Sequence, residues 1–88
     1  LRSKMKIFLS ELKKKISNQL NPEKILLIDN SSLHVKHKSF DPNKFHIKLI
    51  IKSKKLKDLG AIKAHKLIYS ILKEEMKNNI HALEIEIV

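Results

Sequence analysis

From Phe45 to Ser53 the chain alternates: Phe45, Ile47, Leu49 and Ile51 interleave with His46, Lys48, Ile50 and Lys52. A period of two predicts a strand with one buried face, and its three isoleucines suit a pleated surface. This is the expected central strand, with His46 on its polar face. Before it, Met5, Phe8, Leu9, Leu12, Ile16 and Leu20 recur at three- and four-residue spacing, which predicts a helix over 3–20 with Lys13 to Lys15 on its wet side. Asn21-Pro22 ends that helix, because the residue before proline is pushed out of the α region. Ile25-Leu26-Leu27-Ile28 predicts a short strand over 24–29, and Asp29-Asn30-Ser31-Ser32 starts a long loop that runs to about Asn43.

After the central strand, residues 54–60 read as a short connector with room for one helical turn. Ala61, Ala64, His65, Ile68 and Leu72 then form one stripe, with Ile62, Tyr69 and Met76 beside it, predicting a single helix over 61–78. From Ile80 to Val88, Leu83, Ile85 and Ile87 alternate with Glu84 and Glu86, a last strand. A strand-helix-strand crossover is right-handed and makes its two strands parallel. The expected architecture is therefore α+β: a three-stranded mixed sheet covered by helices on one face.

Eighty-eight residues make one small domain, spanning 1–88. Nineteen basic against nine acidic residues leave a formal charge of +10, which draws nucleic acid, anionic membranes or acidic partners. A bias in base composition that enriches Lys, Ile and Asn together explains the same charge. With no cysteine the chain has no disulfide and no thiolate of its own, which fits a reducing compartment, and the expected location is cytoplasmic. No apolar run approaches the roughly 20 residues of a membrane span, so no membrane association is expected. The basic, amphipathic first 20 residues read as a domain helix rather than a transit peptide, since Lys outnumbers Arg and Glu11 is present.

Five histidines are the chain's most informative chemistry: His34 and His37 in the long loop, His46 on the central strand, His65 on the second helix and His81 at the start of the last strand. Imidazole ligates metals, and a loop pair could meet a helix histidine in space; taken singly, His46 and His81 read as surface or edge residues. No zinc signature is present. Asp29, Ser31 and His34 read as turn residues rather than a catalytic triad. The single glycine, Gly60, excludes phosphate-cradling glycine loops and the two-glycine clamp of a KH loop. Eight lysines between Lys36 and Lys57 against one acid, Asp41, form the other candidate site, a patch for salt-sensitive, sequence-blind phosphate binding. Aromatic residues are too few there for base stacking.

Asp29-x-Ser31-x-x-His34, His46-Ile47-x-Leu49-x-Ile51-x-Ser53, His65-Lys66-x-x-Tyr69-x-x-Leu72 and His81-Ala82-Leu83 together resemble the pattern of the BolA-like family over nearly the whole chain. The resemblance implies an α-β-β-α-α-β fold related to the class II KH arrangement, without catalytic activity. It also implies one of two roles. In iron–sulfur handling and iron regulation, the domain binds no cofactor alone but shares a [2Fe–2S] cluster with a monothiol glutaredoxin, which brings glutathione. His65 and His34 are the ligands carried over, with His37 an alternative to His34. Imidazoles at one iron and thiolates at the other is the Rieske arrangement. The other implied role is a DNA-binding transcription regulator of stress response and cell morphology, using Lys52, Lys54, Lys55, Lys57, Lys63 and Lys66. A monomer is the expected assembly, with a homodimer left open. The chain departs from the family pattern at Ile47 and Leu56, where aromatics are usual, at Asp58 in place of Gly, and at Ala64 in place of Arg. The last change removes a cation beside His65.

Overall fold

In the computed structural model, which describes residues 2–31 and 44–88, the order is α1 (Arg2–Leu20), β1 (Lys24–Asp29), β2 (Phe45–Lys52), α2 (Lys54–Leu59), α3 (Ala61–Ile71), α4 (Lys73–Asn78) and β3 (Ile80–Ile87). The three strands form one sheet in the order β1-β2-β3, with β1 antiparallel and β3 parallel to β2. β2 is central, and the fold is the mixed α+β arrangement expected, with four helices.

Strand alternation decides what the helices cover. Ile25 and Leu27 on β1, Ile47, Leu49 and Ile51 on β2, and Leu83, Ile85 and Ile87 on β3 pack into one core with Leu12, Ile16 and Leu20 of α1, Leu56 of α2, and Ala64, Ile68 and Leu72 around α3. Ile16, Leu49, Ile51, Leu56, Ile68 and Leu72 are wholly buried, which makes this apolar burial the main stabilising term. The opposite sheet face is open: Leu26 is 53% exposed, and Lys48 lies near Glu84 and Glu86 at 4.0 and 3.8 Å.

α1 ends as its sequence requires. Asn21 takes a left-handed φ of 45°, its N–H donates to Ser17 O at 2.8 Å, and Pro22 follows. The helical turn for which the connector has room is α2: Ser53 Oγ accepts from Leu56 N–H at 3.2 Å, a side-chain N-cap, and Leu56 fills the core. One expectation needs correction. The helix expected over 61–78 is divided at Leu72, whose φ of −98° and ψ of 19° depart from helical values. Hydrogen bonds still cross the bend, from Leu72 N–H to Ile68 O and from Met76 N–H to Leu72 O. Leu72 stays buried while α4 brings Glu75 to Lys15 of α1, with Nζ 3.0 Å from each carboxylate oxygen.

Candidate histidine site

The register of β3 against β2 slips where the last strand begins. Phe45 is the Cα partner of Ile80, but His46 is the partner of Ala82, so His81 is an extra residue on β3. The cause is in the sequence: Ile80 and Leu83 are both buried, yet they stand three apart, an odd spacing that strict alternation cannot put on one face. A bulge resolves the conflict, and bulges commonly re-aim a side chain at functional sites. Here the imidazole of His81, an exposed residue, stacks on that of His46, with centroids 4.9 Å apart and planes at 20°. His46 is only 6% exposed despite lying on the face opposite the core. Beside the pair, Asn30, His46, Ile47, Ala82, Leu83 and Glu84 line a cleft of about 310 Å³.

Both ends of the histidine-bearing loop are fastened to this corner. At its start, Asn30 N–H donates to His46 O at 2.7 Å, and Ser31 Oγ accepts from His46 N–H at 3.1 Å. Asp29 closes an Asx turn by accepting from Ser31 N–H at 2.8 Å. At its end, Phe45 N–H donates to Asn79 O at 2.8 Å, two residues before His81. His34 and His37 lie outside the described residues, as do Lys36 and Lys38.

His65 is elsewhere. It lines a cleft of about 290 Å³ with Leu56, Lys57, Gly60, Ala61 and Ile87, at the far end of the sheet. Ile87 is the Cα partner of Ile51, five residues along β2 from His46, or about 16 Å at the usual strand rise. The structure therefore does not bring His65 to the base of the loop that carries His34; it brings His81 there. His65 Nδ1–H donates to Ala61 O at 2.8 Å. Lys57 lines the same cleft, and Lys52, Lys54, Lys55, Lys57, Lys63 and Lys66 are all exposed on or beside α2 and α3. Lys48 stands apart from that group, flanked by Glu84 and Glu86.

Among the described residues, no group of three or more His, Asp or Glu could hold a metal, and no helix is long and apolar enough to cross a membrane. His81 could have been singled out earlier from the broken alternation between Ile80 and Leu83, which places a bulge at His81-Ala82.

Fold and site together describe a small α+β domain that presents an exposed histidine at the foot of a histidine-bearing loop. The model of the family described as BolA-like protein matches residues 16–88, and this chain belongs to the BolA-like family. It is similar to the chloroplastic protein BOLA1 of Arabidopsis thaliana, 30% identical over 81 residues, 86% of this chain and 49% of that protein. The chain thus spans about half the length of that relative. It is also similar to the DNA-binding transcriptional regulator BolA of Vibrio cholerae, 30% identical over 74 residues, 84% of this chain and 67% of that protein. Among solved structures, the BolA domain of SufE1 from Arabidopsis thaliana superposes with a TM-score of 0.77 at 31% identity, covering 89% of this chain and 86% of that one.

Proposed function

We propose that this domain is a non-enzymatic accessory protein that shares a [2Fe–2S] cluster with a monothiol glutaredoxin, offering one loop histidine and His81 as its ligands. The observation that carries the ligand assignment is the fastening of both loop ends beside the His46–His81 stack. The donor chemistry suits half a cluster. Two imidazoles of this chain would hold one iron, and, as the chain has no cysteine, the partner's thiolate and its glutathione would hold the other. When bound, the cluster supplies a one-electron, iron-carrying centre. This chain's part would be to hold His81 at the bulge and to supply a second imidazole, His34 or alternatively His37, from the segment that starts at this corner. His65, carried over from the family resemblance, serves the lysine surface instead.

The test is an anaerobic titration of the domain into a cluster-loaded monothiol glutaredoxin, followed by visible circular dichroism. Wild type and His65→Ala develop a new spectrum, and His81→Ala and His34→Ala do not. Loss of the spectrum in His65→Ala, with His81→Ala intact, would return the ligand role to His65.

A second reading has its own observation. Six exposed lysines stand on or beside α2 and α3, and a bacterial relative is named as a DNA-binding regulator. This surface would bind duplex DNA through phosphates, with affinity falling linearly in log salt at a slope of about −0.9 per phosphate contacted. Lys54→Glu with Lys57→Glu should flatten that slope. Binding that ignores salt would refute this reading.

A further inference from the structure

We propose that His46 is a positioning residue for His81, a buried plate that fixes the plane of the exposed imidazole; this rests on the cluster reading above. An exposed side chain normally samples several rotamers, and ordering it costs free energy each time it must adopt one. His81 is exposed, but one face of its ring lies on His46 at 4.9 Å and 20°, near the offset stacking that aromatic rings prefer. The plate itself is rigid. It stands on the central strand, is 6% exposed, and its backbone N–H and C=O are both engaged by the first residues of the loop. The bulge then makes structural sense, since it carries His81 onto the face where His46 stands. Stacking holds the plane of His81 while leaving the edges of its ring, where both nitrogens lie, turned away from the contact. Because His46 is hydrogen-bonded through its backbone to Asn30 and Ser31, one residue registers both the imidazole and the root of the loop. Loss of a group that orients a metal-binding histidine typically costs about ten- to a hundredfold in affinity.

The test uses the whole domain and the same cluster-loaded glutaredoxin, comparing His46→Leu, which removes the flat ring, with His46→Phe, which retains one. In the free domain, the His81 ring protons should lose their ring-current shift in His46→Leu and keep it in His46→Phe. In the complex, His46→Leu should bind about tenfold more weakly and broaden the nitrogen couplings of the reduced cluster, and His46→Phe should restore both. Wild-type affinity and sharp couplings in His46→Leu overturn the positioning role, as does a folded His46→Phe that fails to rescue. His81→Ala separates the two levels. If that variant still forms the complex spectrum, the cluster reading falls and the inference with it. If it does not, yet His46→Leu behaves as wild type, only the positioning role falls.

Discussion

Ser53 ends β2 and begins α2 with a single side chain. It is 3% exposed, and its hydroxyl accepts from Leu56 N–H while its carbonyl accepts from Lys57 N–H at 3.0 Å. Ser53→Ala should cost about 1 kcal/mol, because it strands a buried donor at the helix start, and urea unfolding at unchanged m-value would measure it. His46 teaches the opposite lesson about single positions. Alternation assigns it to the polar face, and it is on that face, yet it is buried, with the ring of His81 stacked on it. The ring stacked on it comes from 35 positions further along the chain, which period alone cannot reveal. His81 read as an edge residue for the same reason.

At the scale of elements, the strands and α1 were legible because each has a clear period and a clear stop. α2 was legible only as a connector with room for one helical turn, since six residues hold little pattern, although Ser53 three residues before Leu56 is the spacing of an N-cap with its partner amide. The bend at Leu72 has no glycine or proline to announce it. Its consequence is a contact between α1 and α4, where Lys15 Nζ meets both oxygens of Glu75. With side chains 37% and 20% exposed, the pair is only partly shielded from solvent. A Lys15→Ala/Glu75→Ala double-mutant cycle should give a coupling of roughly 0.2–1 kcal/mol that shrinks in high salt. A salt-independent coupling well above this range would mean that the pair organises the α4 bend.

The whole molecule carries its two candidate sites at opposite ends of the sheet. One end gathers His46, His81 and the roots of the loop; the other gathers His65 and the lysines of α2 and α3. The family pattern made all of these residues visible in the sequence, but it could not sort them by end, because that depends on strand direction and register. The separation predicts independence. Lys54→Glu with Lys57→Glu should leave the cluster spectrum intact, and His81→Ala should leave salt-dependent DNA binding unchanged, since sites this far apart with no shared partners act additively. A loss of both activities in either variant would show that the ends communicate.

The most direct measurement of the central claim is pulsed electron paramagnetic resonance of the reduced cluster in the complex, with only this chain's histidines labelled with nitrogen-15. The account predicts strong nitrogen-15 couplings from two histidines of this chain in the wild-type complex, both kept in His65→Ala, and no shared cluster with His81→Ala. A cluster without nitrogen-15 coupling, or one whose coupling disappears with His65 alone, would contradict it.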